Sequence, residues 1–208
     1  MKLLIMGAQG SGKGTAAQEL SKQLNIPTFS PGDMFKSVIR KGGELGEYVA
    51  SFVNSGVLVP DDLTLKVVLD RLSAPDCKNG YILDGYPRTM AQLKLMQGKI
   101  DVDKVIYLKV DRAEAIKRLS GRVVCPKCGF VYNKQLGGDI KNCRECGTAY
   151  VVRSDDTPKA IEKRLQIYQK DTLPVVEYYK KAGLVLEVNS NISPENTYNQ
   201  IVKGLGLK

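Results

Sequence analysis

The sequence predicts an α/β fold, a parallel sheet with helices on both faces. Short apolar runs that read as buried strands alternate with segments whose apolar residues recur at helical spacing. The first strand–helix junction is a glycine-rich turn, Gly7-Ala8-Gln9-Gly10-Ser11-Gly12-Lys13-Gly14-Thr15. Its position between strand and helix is the context in which such a turn binds phosphate. At 208 residues the chain can bury a sizeable core and carry one or two domains.

The elements follow in order. Lys2 to Met6 is a short apolar strand, and Ala16, Ala17, Leu20 and Leu24 mark the helix after the turn. Pro27 to Ser30 is an extended piece. A helix through Met34, Phe35, Val38 and Ile39 starts at Pro31-Gly32-Asp33, with Asp33 expected as its N-cap. Gly42-Gly43 ends it, and a second helix with Leu45, Val49, Phe52 and Val53 on one face closes at Gly56. Residues 30–59 therefore read as a small helical insert. Asp61-Asp62 is expected to cap a helix through Leu63, Val67, Val68 and Leu72, and Cys77 beyond it reads as an ordinary thiol. Tyr81 to Asp84 is a strand ending in an acid, followed by the turn Gly85-Tyr86-Pro87-Arg88-Thr89. Lys104 to Val110 is the next strand. Asp111 caps a helix at whose end Arg118 and Arg122, four apart, are expected to share a face. From Arg122 to Thr157 the composition turns to glycine, cysteine and short β-like pieces. Pro158 opens a long helix with a stripe of Ile161, Leu165, Tyr168, Val175 and Tyr179, expected to bend or break at Pro174. Leu184 to Val188 is the last strand, and a terminal helix follows Ser193-Pro194.

Physical reasons attach chemistry to these pieces. In the loop, glycines permit backbone angles that let N–H groups converge on an anion, and the following helix points its positive end at the same place. Lys13 adds a mobile charge, while Gly14 displaces the expected hydroxyl to Thr15. Asp84, at the end of a neighbouring strand, suits the vicinity of a magnesium ion. Arg88, Arg118, Arg122, Arg153 and Arg164 fall at turns, hinges or helix faces near the presumed crevice. Arginine's planar fork makes paired bonds to phosphate oxygens, so the group reads as a clamp on several phosphates. Cys125, Cys128, Cys143 and Cys146 form two C-x2-C pairs separated by 14 residues. That spacing points to a closed, structural zinc site with four thiolates. The chain has no histidine. Transfer of a phosphoryl group to a phosphate oxygen needs no base, because the acceptor is already an anion, and positioning with charge stabilisation suffices. The net charge of +9 suits polyanionic partners, and its even spread favours focused sites over a nucleic-acid tail. No apolar run approaches a membrane span and no signal-peptide core is present, so a cytoplasmic protein without a membrane partner is expected.

Gly7 to Thr15, Gly32-Asp33, Leu58-Val59-Pro60-Asp61, Asp84 to Thr89 with Gln92, Gly121-Arg122 with the cysteine pairs, Arg153 with Asp155-Asp156, Arg164-Leu165 and Tyr178-Tyr179 occur in that order across nearly the whole chain. In this set the chain resembles the adenylate kinases, in their bacterial form with a long zinc-bearing lid. The resemblance implies the three-layer fold of the P-loop NTPases and the reaction ATP + AMP ⇌ 2 ADP with Mg²⁺. It implies a core of residues 1–29, 60–121 and 158–208, an AMP-binding insert at 30–59 and a zinc-bearing lid at 122–157. Lys13 with Gly10, Ser11, Gly12, Gly14 and Thr15 would hold the ATP phosphates, with Asp84 near magnesium through water. Arg118 would lie over the ATP adenine, with Tyr132 also on the ATP side. Arg88 would grip the AMP phosphate. Gly85, Gln92, Pro31, Lys36 and the stretch Val57, Leu58 and Val59 would complete the AMP site. Arg122, Arg153 and Arg164 would clamp the phosphates in flight, and Asp155 and Asp156 would pair with lid arginines. Monomers with ATP, AMP and ADP as partners, and no nucleic acid, are implied too.

Three positions depart from that pattern. Gln9 stands where proline is frequent, Pro31 where threonine is common beside the AMP base, and Lys36 where an arginine meets the AMP phosphate. Other readings are a kinase for a different nucleoside monophosphate, a GTP-binding switch, and a zinc ribbon that binds nucleic acid through Lys127, Lys134, Lys141 and Arg144. The switch lacks its guanine-reading motif, since Asn133-Lys134-Gln135-Leu136 has no acid in the last place.

Overall fold

The computed structural model describes residues 1–55, 58–153 and 156–207. Gly56, Val57 and Asp155, expected respectively at a helix end, in the AMP site and beside a lid arginine, lie outside the described residues.

The chain opens with β1 (Lys2–Gly7), α1 (Lys13–Leu24) and β2 (Thr28–Phe29). α2 (Pro31–Lys41) and α3 (Gly43–Ser55) pack on each other, and α4 (Asp61–Leu72) returns toward the sheet. Then come β3 (Tyr81–Asp84), α5 (Met90–Met96), β4 (Lys104–Lys109) and α6 (Arg112–Ser120). The cysteine-bearing segment contains β5 (Arg122–Val124), β6 (Val131–Asn133), a single turn α7 (Lys134–Gly137) and β7 (Val151–Val152). α8 (Pro158–Ile167) runs through a π-helical turn at Tyr168–Thr172 into α9 (Leu173–Lys181). β8 (Val185–Asn189) and α10 (Pro194–Gly204) complete the chain.

Five strands form a parallel sheet in the order β2-β3-β1-β4-β8. β1 sends its crossover toward β2 and β3 sends its own toward β4, so the topology reverses at this neighbouring pair. Ligands bind outside the carboxyl ends of strands at such a switch. The central strands β1, β3 and β4 are apolar in their interiors because both faces are covered. Leu4, Met6, Leu83, Val105 and Tyr107 point into a core shared with α2 to α5 and α9. Their chain neighbours Leu3, Ile5, Ile82, Ile106 and Leu108 point into a second core against α1 and α10. This is the period-two alternation of a strand. Each fully buried aliphatic side chain adds about 1.5–3 kcal/mol. The cysteine segment has its own antiparallel sheet, β6-β5-β7, with strands of only two or three residues.

Four local expectations are corrected. Ser30, not Asp33, caps α2. Its hydroxyl accepts from the Asp33 N–H at 3.3 Å, while the Asp33 carboxylate accepts from the Ser30 N–H at 3.3 Å. Proline is tolerated at the first helical position, so the helix starts at Pro31 and the cap lies three residues earlier than expected. Asp61 does not cap α4 with its side chain; it is the first helical residue, and its carboxylate faces Gln92. Arg118 and Arg122 share no helix face, because α6 ends at Ser120 and Arg122 pairs with Asn133 in β5–β6. The long helix loosens just ahead of Pro174. The Leu173 N–H bonds to Tyr168 five residues back, and the proline, which has no N–H to give, sits in the first turn of α9.

Candidate active site

The loop after β1 and the turn after β3 lie side by side at the switch. Ile5 is in register with Asp84, and the Gly85 N–H donates to the Ile5 carbonyl at 3.0 Å. Gly10 has φ of +83°, and a Cβ there would lie 2.7 Å from the Ala115 carbonyl oxygen, so only glycine fits. Gly12, with φ of +87°, starts α1 in the left-handed region. Ser190, from the loop after β8, donates its hydroxyl to the Ser11 carbonyl at 2.6 Å and supports the loop from below. The Ser11 hydroxyl is buried with no hydrogen-bond partner among the described residues. Thr15 is exposed in the first turn of α1, and Gly14 leaves room beside Asp84, whose Oδ2 would lie 3.6 Å from a Cβ at that position.

Lys13 folds back over this loop. Its Nζ donates to the Gly7 and Ala8 carbonyls at 2.7 and 2.8 Å. Burial is the chief cause that lowers its pKa to about 8; Asp84 opposes the shift, while Arg88, Arg122 and Arg164 add to it. These four side chains thus lie within electrostatic reach of one ammonium. Burial likewise raises the pKa of Asp84, against the pull of Lys13 and Arg88.

Arg88 stands on the turn after β3. Its Nε donates to the Gly85 carbonyl at 2.8 Å, and its backbone N–H donates to Gln92 Oε1 at 2.7 Å. Gln92 in turn donates from Nε2 to Asp61 Oδ1 at 2.8 Å, so both ends of its amide are engaged within the protein. Thr172 gives its hydroxyl to the Arg88 carbonyl at 2.9 Å. Loss of hydration lowers the pKa of the guanidinium, with Asp84 opposing and Arg164 reinforcing.

Across the crevice, Asp156 is buried between two arginines. Arg122 forks onto it with bonds of 2.7 Å from Nε and 2.6 Å from Nη2, and Arg164 Nη1 reaches Oδ1 at 3.2 Å. The carboxylate side chain is 1% exposed and the arginines 18% and 21%. Arg153 is exposed at the end of β7, and its carbonyl accepts from the Asp156 N–H at 3.1 Å.

Other residues singled out from the sequence sit further out. Arg118 is engaged beneath the loop, with Nε on Glu114 Oε1 at 2.8 Å and Nη2 on the Ile192 carbonyl at 3.1 Å. Tyr132 lies inside the cysteine segment. Its ring stacks on Tyr150 at 5.4 Å between centroids and carries Arg144 above it, and its hydroxyl donates to the Gly138 carbonyl at 3.1 Å. Pro31 is buried in the first turn of α2, and Lys36 is exposed one turn further on. Leu58 is exposed and Val59 half-buried on the approach to α4. Sequence reasoning missed Ser190 and Thr172, and it singled out Asp61 as a cap and motif residue without its bond to Gln92. Each acts from an element remote in sequence from the group it holds, and a lone polar residue gives no periodic signal.

The four cysteines form the second cluster. Sγ of Cys125 lies 3.5 Å from that of Cys146, Cys128 lies 3.5 Å from Cys143, and Cys146 lies 3.7 Å from Cys128. All four sulfurs fall within 4.8 Å of one another. A disulfide needs sulfurs at about 2.05 Å. A tetrahedron of thiolates about 2.3 Å from a zinc ion has edges of about 3.8 Å, so the spacing fits a tetrahedral metal.

Comparison with known proteins agrees with this geometry. A family profile described as adenylate kinase matches residues 5–184. The chain is 41% identical to the adenylate kinase of Thermosipho africanus, covering 97% of this chain and 98% of that protein. It is 39% identical to the adenylate kinase of Thermoanaerobacter sp. strain X514, covering 99% and 98% respectively. For the adenylate kinase of Acetivibrio thermocellus the identity is 40%, over the full length of both. Among the described residues, no helix is long and apolar enough to cross a membrane. The glycine loop with its lysine, the arginine turn beside it and the full-length match agree, and the chain belongs to the adenylate kinase family.

Proposed function

We propose that the protein transfers a phosphoryl group reversibly between MgATP and AMP, giving two molecules of ADP. The observation that carries this reading is the gathering of Asp84, Arg88, Arg122 and Arg164 within electrostatic reach of Lys13 on the glycine loop. All four cations already hold protein oxygens: Lys13 the loop carbonyls, Arg88 the Gly85 carbonyl, and Arg122 and Arg164 the Asp156 carboxylate. Phosphate oxygens would replace these partners on binding, a like-for-like exchange of charge-assisted hydrogen bonds.

In this reading the glycine loop and Lys13 hold the ATP β- and γ-phosphates over the N-terminus of α1. Arg88 orients the AMP phosphate for in-line attack, with Lys36, Gln92 and the 57–59 stretch on the AMP side. One AMP phosphate oxygen forms a bond to the γ-phosphorus, and the bond from that phosphorus to the bridging oxygen of ADP breaks. No proton need be removed, which suits a chain without histidine. Arg122 and Arg164, with Arg153, spread the charge of the phosphoryl group in flight. Thr15 and Asp84 would hold Mg²⁺, directly or through water, and that ion supplies charge neutralisation between the phosphates.

Residues 30–59 would form the AMP-binding insert, and 122–157 a lid that excludes water when closed. The four cysteines would hold Zn²⁺, which stands in for a core that strands of two or three residues cannot supply. Arg118 would lie at the adenine side of ATP, and Tyr132 would serve the ATP side by shaping the lid. A cytoplasmic monomer is the simplest setting.

A coupled ADP-formation assay with ATP and each of AMP, GMP, UMP and CMP tests the proposal. AMP should be the fastest acceptor by a wide margin. Faster turnover of another monophosphate would replace AMP as the acceptor, and Pro31 and Lys36 are where that preference would arise.

A further inference from the structure

Arg88 is held at three backbone and side-chain atoms. Its N–H goes to Gln92, and its Nε goes to the Gly85 carbonyl. Both partners lie within four residues, so these bonds shape the turn but do not fix it in the molecule. The third bond is different: Thr172, 84 residues away, donates its hydroxyl to the Arg88 carbonyl at 2.9 Å. Gln92 ties the other side of the turn to Asp61 at the start of α4. Besides the Gly85 bond to Ile5 of β1, the arginine turn is thus anchored to α4, and Thr172 is its link to the α8–α9 strut.

That strut also carries Arg164. Eight residues separate Arg164 from Thr172, and at ~100° per residue an unbroken α-helix would carry Thr172 roughly 80° past the line of Arg164. The intervening π turn, Tyr168–Thr172, has i→i+5 bonds and winds more slowly. The lag turns Thr172 back toward the face of Arg164, and both then meet the crevice: Arg164 at Asp156, Thr172 at Arg88. The winding defect lets one strut hold two phosphate-binding arginines in register.

We propose that Thr172 is a positioning residue for the acceptor phosphate, its hydroxyl holding the Arg88 carbonyl so that the guanidinium stands at a set distance from Arg164. This deepens the kinase reading above and rests on it. Arg88 belongs to the acceptor side, so loosening it must weaken the acceptor and leave ATP alone.

The test compares wild type, Thr172→Val and Thr172→Ser in steady-state assays, with melting temperature measured in parallel. Valine keeps the shape and removes the donor, whereas serine keeps the donor. The KM for AMP should rise roughly three- to tenfold in Thr172→Val, the effect of one lost hydrogen bond, and return close to wild type in Thr172→Ser. The KM for ATP should not move. An unchanged KM for AMP in Thr172→Val overturns the proposal. So does a parallel rise of both KM values with a lower melting temperature, which marks a merely structural role. If wild type prefers another monophosphate, the AMP reading fails, and the same comparison on that acceptor still decides the role of Thr172.

Discussion

Lys13 offers the sharpest quantitative test, because its protonation in the free protein should change when phosphates arrive. With its pKa lowered to about 8, chiefly by burial, Lys13 is about nine-tenths charged at pH 7, half charged at pH 8 and about one-tenth charged at pH 9. Nucleotide phosphates beside the ammonium restore the charged form. Binding should therefore take up about 0.1 proton at pH 7 and about 0.9 at pH 9, and this one group should weaken nucleotide affinity about tenfold across that interval. The stability of the free protein follows the same shift. The folded pKa lies below the unfolded value of 10.5, so the unfolded chain binds more protons between about 8 and 10.5, and stability rises with pH in that window. The gap corresponds to about 3 kcal/mol. Lys13 keeps some solvent contact, which reduces the expected gain to about 1–2 kcal/mol. Titration calorimetry with ADP, in two buffers of different ionisation enthalpy at pH 7 and pH 9, reads the uptake directly. Lys13→Arg is the control, since arginine stays charged throughout and leaves only proton traffic on the nucleotide. An uptake at pH 9 below about 0.3 proton, or one equal to that of Lys13→Arg, would refute the reasoning.

Asp156→Ala leaves Arg122 and Arg164 facing each other without their shared carboxylate, and should lower stability by about 1–3 kcal/mol, less than for a fully buried pair because both arginines retain solvent contact. A denaturant midpoint equal to wild type would contradict that. Chelation of the metal should lower the melting temperature and open residues 122–157 to protease while the parallel-sheet core stays intact. Freshly purified protein with no metal by elemental analysis would remove the basis for it. Lys36→Arg should lower the KM for AMP by roughly two- to fivefold, since a fork replaces a point charge, and unchanged AMP kinetics in Lys36→Ala would take Lys36 out of the site.

Much of the site was legible because its signals are local. A glycine loop between a strand and a helix, an acid at a strand end and paired cysteines are all read over short windows. The alternation of strands and helices likewise follows from periodicity, and β1 to β4, α1 and α10 stand near their expected places. Boundaries failed where a neighbour decided them. Ser30 took the cap because Pro31 already belongs to the helix, and Arg122 left the helix of Arg118 because β6 offered it a strand partner.

By itself the sequence determined the layered α/β fold, the glycine loop, the four-cysteine cluster and the family, since these rest on residue type and spacing along the chain. Tertiary structure alone decided the partners of the charged groups. That Asp156 joins Arg122 to Arg164, that Lys13 rests on its own loop carbonyls, and that Thr172 reaches Arg88 across 84 residues are results of folding. The physical reason is range. Propensity and periodicity act over a few residues, whereas a buried charge or carbonyl must find a partner wherever the chain brings one within about 3 Å.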